Sequence, residues 1–190
     1  MTIHCLPTHV IISSVYAIYP LHWVKKIWLL TMFYTNYQTP LGAITLAANH
    51  LGLTALAFCL GKNPLVIQPQ WQENHKVFID VKNQLDQYFS GQRQVFELVL
   101  APSGTPFQQK VWHALTQINL GETKTYAWLA KRINNERAVR AVGSANGANP
   151  IALIIPCHRV IGGNGKLTGY AGGLALKAKL LMHEGAQFIP

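Results

Sequence analysis

Pro102-Ser103-Gly104-Thr105-Pro106 divides this 190-residue chain. Two prolines, a glycine and two hydroxyl residues in five positions continue neither a strand nor a helix. Thr105 followed by Pro106 is instead a helix start, with the hydroxyl as N-cap and the proline at the first helical position. Upstream, the pattern is mostly of strands. Thr39-Pro40-Leu41-Gly42 is a turn signal. Residues 43–48 and 53–60 read as strands joined through Asn49-His50-Leu51-Gly52, and residues 94–100 alternate well enough for another. Between them, Val77, Phe78, Val81, Leu85, Tyr88 and Phe89 recur at helical spacing, and Gly91 stops the helix. Downstream, the pattern is helical. Phe107, Val111, Trp112, Leu115 and Ile118 mark one face of a helix ending near Gly121. A second helix starts after Thr123 or Thr125 and runs through Trp128, Leu129 and Ile133; Asn134-Asn135-Glu136 makes a turn; a third covers residues 137–147. The expected fold class is α+β in two parts: a small β-sheet with a packed helix over residues 32–101, and a mainly helical part over residues 102–190. A short helix, a tight turn and a basic helix mark a helix-turn-helix, with an ordinary helical hairpin as the alternative.

The stretch with most chemistry lies in the second part: Ile155-Pro156-Cys157-His158-Arg159-Val160. An apolar run, Ile151 to Ile155, should be buried and ends at a proline, which would fix the thiol at the floor of a site. Imidazole and guanidinium neighbours can draw a thiol toward thiolate, its nucleophilic form. Adjacency alone does not make a Cys–His pair, because neighbours in an extended segment point opposite ways.

Composition narrows the class. Hydrophobic residues make up 49%, which excludes a disordered chain. Lys and Arg number 16 against 7 Asp and Glu. From residue 101 onward there are 10 basic and 3 acidic residues, against 6 and 4 before it, so the positive field belongs to the half containing Cys157. Such a field favours a polyanion, nucleic acid first. Cys5, Cys59 and Cys157 form no CxxC pair and no zinc spacing, and they suit a reducing compartment. Cys59 lies in an apolar run and reads as core. The first 24 residues contain no Asp, Glu, Lys or Arg, yet Pro7, Pro20, Ser13 and Ser14 interrupt them. Lys25 and Lys26 fall on the wrong side for a secretory signal, and the apolar stretches are short for a membrane span. Met32 is the expected natural start, with residues 1–31 an upstream extension; a hydrophobic tether is the alternative.

The third helix is unusual. Ala138, Ala141, Gly143, Ser144, Ala145 and Gly147 are small, and Arg137 and Arg140 are the large polar groups among them. Glycine weakens a helix, so its presence implies close backbone approach. Two readings stay open: a stripped face that lies in a groove or against phosphates, with one arginine standing up from it, or a small-residue face packed on a neighbouring helix.

Taken together, these segments resemble the O6-alkylguanine-DNA alkyltransferases, the methylated-DNA–protein-cysteine methyltransferases. The resemblance runs from about Thr105 to Gly185 through Phe107-Gln108-Gln109-Lys110-Val111-Trp112, Gly121-Glu122-Thr123-Lys124-Thr125-Tyr126, Arg140-Ala141-Val142-Gly143, Asn149-Pro150, the Cys157 motif, Gly169-Tyr170-Ala171-Gly172-Gly173 and Leu180-Leu181-Met182-His183-Glu184-Gly185. Residues 32–101 match weakly, mostly at Thr39-Pro40-Leu41-Gly42, and residues 1–31 do not match. The resemblance implies a ribonuclease H-like first part and a winged-helix-like second. It implies that Cys157 takes an alkyl group from O6 of guanine, and from O4 of thymine, once per molecule. His158 would deprotonate the thiol through a water, Glu184 would hold the other imidazole nitrogen, and Tyr126 would donate to guanine N3. Tyr170 would wall the pocket, and Ala171, where some members have Ser, would contribute its backbone. Asn149 would tie the recognition helix to the active-site turn. Arg140 would fill the gap left by a base rotated from double-stranded DNA, and Ala138, Ala141 and Val160 would complete the DNA and substrate contacts. The small-residue helix would enter the minor groove. Arg159 anchors structure in this reading. The implied protein is a cytoplasmic monomer without cofactor, metal or stable membrane partner. Two other classes stay open: a lesion-binding relative that does not react, and a thiol hydrolase built on Cys157, His158 and Glu184. The latter leaves Arg140 and its helix without a purpose.

Overall fold

The structure, a computed structural model, describes residues 31–62 and 64–190. The expectations for the N-terminal extension fall outside the described residues. Strands β1 (Phe33–Thr39), β2 (Gly42–Asn49) and β3 (Gly52–Phe58) form an antiparallel meander, and the short β4 (Gln72–Glu73) adds in parallel to β1. The sheet order is β3-β2-β1-β4. The β1 strand carries little apolar signal because Thr35 and Thr39 take its buried positions between exposed Asn36 and Gln38. The buried hydroxyls are satisfied: Thr39 donates to the carbonyl of Gly42 at 2.7 Å. A 3-10 turn (His75–Phe78), capped by Asn74, leads into helix α1 (Ile79–Phe89). Val81, Leu85 and Tyr88 are its buried apolar residues.

Three details differ from the sequence reading. The third strand ends at Phe58, so Leu60 is 95% exposed, and Cys59 is half-buried rather than core. Residues 94–100 keep their alternation, with Phe96, Leu98 and Leu100 packed on the core and Val95 and Val99 exposed, but no strand forms. The free edge of β3 is shared. Leu53 exchanges hydrogen bonds with Val99 and Ala101, whereas Leu56 receives Pro150 and Ala152 from the second part. One segment cannot run the full edge when another occupies half of it.

Helix α2 (Pro106–Leu115) begins with a capping box: the Thr105 hydroxyl accepts from the Gln108 N–H, and the Gln108 side chain accepts from the Thr105 N–H. It stops at Leu115, short of Gly121, and Ile118 is buried in the turn beyond it. Strand β5 (Lys124–Thr125) leads directly into α3 (Tyr126–Arg132), whose N-cap is the Thr125 hydroxyl. A turn with Asn134 at φ 56° and a 3-10 turn precede α4 (Val139–Gly147). Asparagine tolerates that left-handed backbone. The indole of Trp112 donates to the carbonyl of Ala145 at 2.9 Å, holding α4 against α2. Strand β6 (Val160–Ile161) pairs in parallel with β5, and α5 (Leu174–His183) closes the chain's last core layer. The result is the expected two-part mixture of sheet and helices. Both parts share one hydrophobic cluster, from Ile44 and Leu85 to Val111 and Leu180.

Gly52 sits at φ +140°, and a Cβ there would lie 2.4 Å from the carbonyl oxygen of Val99. Gly52→Ala should therefore destabilise the fold by about 1–3 kcal/mol, read as a lower urea midpoint.

Candidate active site

The apolar run that precedes the thiol is buried as expected, and it turns sharply. Leu153 adopts φ 72°, and Ile155 donates its N–H back to the carbonyl of Ile151 at 3.0 Å. Asn149 stabilises this turn from within. Its side-chain amide donates to the carbonyl of Ile155 at 2.7 Å, and its side-chain oxygen accepts from the N–H of Ile151 at 3.1 Å. Cys157, His158 and Arg159 then form a single 3-10 turn. Such a turn separates the directions of successive side chains. Cys157 lines a pocket of about 270 Å³, whereas His158 and Arg159 converge on Glu184.

Glu184 follows α5 directly and is buried. Its Oε1 faces His158 Nε2 at 2.9 Å, the Arg159 Nη2 at 2.9 Å and the Tyr88 hydroxyl at 2.7 Å; its Oε2 accepts from Arg159 Nε at 2.8 Å. Burial opposes a charge here, but the hydrogen bonds and charges of His158 and Arg159 outweigh it and hold the carboxyl far below its usual range. Arg159 also donates to the carbonyl of Ile118 at 2.6 Å. The guanidinium is thus committed to structure and does not activate the thiol. The cation that acts on Cys157 is Lys177, a fully buried residue of α5 whose ammonium donates to the carbonyls of Val160 and Thr168. Burial lowers Lys177 to about 8, against the pull of Cys157.

Burial likewise pushes the Cys157 thiol up, partly offset by a hydrogen bond from Asn149 and by the Lys177 charge. The imidazole of His158 is held down by burial, with Glu184 pulling the other way. The resting pair is therefore a thiol beside a neutral imidazole. His158 Nδ1 has no hydrogen-bond partner among the described residues, so the nitrogen remote from Glu184 is free to accept a proton. This arrangement can generate a thiolate on demand rather than store one.

The remaining expected site residues are spread over the pocket, the segments beside it and helix α4. Asn149, Tyr170 and Ala171 line the pocket with Cys157. The ring of Tyr126 lies against Gly143 and its hydroxyl beside Gly169, with burial raising its pKa, so it stays a proton donor. Val160 is fully buried and contributes its carbonyl to Lys177. Arg140 and Ala141 are exposed on α4, and Ala138 is half-buried just before it. The sheet side also walls the pocket, through Phe58, Leu65 and Val66. Sequence reasoning missed Tyr88, which reads as one more aromatic on the core face of α1. It missed Lys177 as well, although a lysine three residues before Leu180 on an apolar face was a usable signal. Among the described residues no group of three or more His, Cys, Asp or Glu could hold a metal ion, and no helix is long and apolar enough to cross a membrane.

Two family models cover nearly all of the described chain: the 6-O-methylguanine DNA methyltransferase ribonuclease-like domain over residues 32–102, and the DNA binding domain of the same name over residues 106–186. The chain belongs to the 6-O-methylguanine DNA methyltransferase family. A methylated-DNA–protein-cysteine methyltransferase of Methanosarcina acetivorans is 50% identical over 155 residues, spanning 82% of this chain and 99% of that one. The protein of that name from Haemophilus influenzae is 42% identical over 83% of this chain and 89% of its own. A crystal structure of Mycobacterium tuberculosis OGT in complex with DNA matches with a TM-score of 0.75 and 44% identity, over 80% of this chain and 92% of that one. The chain is accordingly a methyltransferase of DNA repair, with the family's two-part fold.

Glu184 sets a pH dependence of stability. Its carboxyl is held below its unfolded value of about 4.3, so its contribution is full above that pH and is lost as pH falls below it. Glu184→Gln leaves Arg159 with weaker acceptors and should cost about 1–3 kcal/mol at pH 7. Urea midpoints between pH 7 and 3 should fall steeply for the natural chain and more shallowly for the variant.

Proposed function

We propose that this chain repairs DNA by a single, irreversible transfer of an alkyl group from O6 of guanine, and from O4 of thymine, to Cys157. The observation that carries this reading is a buried thiol at a pocket floor, followed in the same turn by an imidazole that Glu184 orients. The Cys157 proton passes through a water to His158, whose Nε2 faces Glu184. The thiolate attacks the alkyl carbon, the C–O6 bond breaks, and its electron pair leaves with the purine. Tyr126 donates a hydrogen bond to N3 of the departing guanine, and backbone N–H groups around Tyr170 and Ala171 close over the base. The product is a thioether, a poor leaving group, so each molecule acts once.

A guanine in a duplex stack lies out of reach of a buried thiol, so the base must be rotated out. Helix α3, the turn and α4 then act as a helix-turn-helix. The exposed small residues of α4, with Ala138 and Ala141, approach the minor groove, and Arg140 enters the gap. Asn149, bonded to the turn before Cys157, couples that helix to the site. On this reading residues 102–190 hold the DNA and the acceptor thiol, residues 32–101 form the scaffold, and the protein works as a cytoplasmic monomer.

Intact mass and peptide mapping, after mixing with duplex DNA carrying one O6-methylguanine, should give one added methyl, on Cys157, saturating at one per molecule. Tight lesion binding with no mass gain would place the chain among non-reacting lesion binders. Arg140→Ala should retain reaction with free O6-alkylguanine and slow repair of the duplex by about 30-fold or more, the factor that about 2 kcal/mol or more of lost unstacking assistance implies. Equal losses on the two substrates would remove Arg140 from the finger role.

A further inference from the structure

Glu184 holds His158 and Arg159, which stand beside Cys157 in one turn, but its third partner comes from a distant part of the chain. Tyr88 lies near the end of α1, in the sheet-bearing half, and 96 residues separate it from Glu184. Its ring is 1% exposed and its hydroxyl donates to Oε1, the same oxygen that faces His158 Nε2. Its surroundings are aromatic. The ring stands edge-on to His183 at 5.0 Å and to Phe89 at 5.1 Å, and His183 Nε2 lies 3.0 Å from the carbonyl of Tyr88. Residue 88 is thus bound at both its backbone and its hydroxyl to the two consecutive residues 183 and 184.

We propose that Tyr88 is a positioning residue for alkyl transfer, its hydroxyl sharing Oε1 with His158 and so setting how strongly Glu184 draws on the imidazole. The inference rests on the role of Glu184 under the proposed function.

The Tyr88 hydroxyl and the His158 imidazole compete for one oxygen. Each hydrogen bond that an oxygen accepts withdraws electron density and makes it a weaker acceptor for the next. A phenol held in a dry, aromatic-walled site beside a carboxylate remains protonated, since burial and the Glu184 charge both raise its pKa. It is therefore a permanent donor. With it in place, Oε1 orients the imidazole without drawing it strongly toward imidazolium. Without it, the carboxylate concentrates on His158, the charged imidazolium is favoured, and the base that must take the Cys157 proton is already occupied. The other groups around this pair are Arg159 and Lys177, which disfavour imidazolium by their charge, and Tyr170, which stands edge-on to the imidazole at 6.5 Å and lines the pocket with Cys157.

The test is single-turnover methyl transfer from O6-methylguanine duplex DNA by the full chain, its Tyr88→Phe variant, Glu184→Gln and the double variant, across pH 5–9, alongside lesion-DNA affinity and thermal unfolding. Transfer by the natural chain tests the underlying function separately. Tyr88→Phe keeps the ring, so it should fold and bind the lesion as the natural chain does. It should react about 10-fold more slowly at pH 7, which corresponds to about 1.4 kcal/mol, and the acid limb of its rate profile should move to higher pH. The double variant should be no slower than Glu184→Gln alone, because the hydroxyl acts through the carboxylate. Multiplied losses in the double variant, or an unshifted acid limb, would reduce Tyr88 to a packing role and overturn the proposal. A Tyr88→Phe rate equal to that of the natural chain would do the same.

Discussion

One buried carboxylate organises this protein. Glu184 accepts from the Arg159 guanidinium twice and from the Tyr88 hydroxyl, and it faces the His158 imidazole. An isolated carboxylate in such a place would cost several kcal/mol or take up a proton. Here every donor also has a structural duty. Arg159 reaches on to the carbonyl of Ile118, which ties the loop after α2 to the turn of Cys157. Tyr88 brings α1 to the same oxygen. The site chemistry and the packing of four segments therefore depend on one charge remaining ionised.

The thiol is governed by an opposite logic. Burial favours its protonated form, and the nearest compensations, Asn149 and the Lys177 ammonium, are partial. A permanently ionised thiol would be exposed to oxidation and to adventitious electrophiles. The contrast follows from what faces each group: a guanidinium, an imidazole and a phenol within hydrogen-bond distance of Glu184, against an amide and a lysine charge at Cys157.

The sequence made much of this legible. The stop at Pro102–Pro106, the capping threonine and the apolar periods of α1 and α2 are local signals, and the structure follows them. Strand β1 was harder to see because its buried positions are threonines, whose hydroxyls need partners that only tertiary structure supplies. The region around residues 94–100 has a strand's alternation without a strand's ladder, since pairing depends on what else occupies the edge of β3. The motif around Cys157 marked a thiol and an imidazole, which the structure places at a pocket and against Glu184. Tyr88 gave no signal, because its partner lies across the fold and an aromatic on a core face looks like packing; Lys177 stood out as a cation on an apolar helix face, but the carbonyls it reaches come from other segments.

The shared edge of β3 has a consequence for modularity. Family models separate the chain at residues 102–106, yet Leu56 in the sheet exchanges backbone hydrogen bonds with Pro150 and Ala152, only a few residues before Cys157. A single hydrophobic cluster runs through both parts. The two regions are therefore separable as names but not as folding units. Severing the chain between them would uncover a sheet edge and split a core, so neither piece would inherit the cooperativity of the whole.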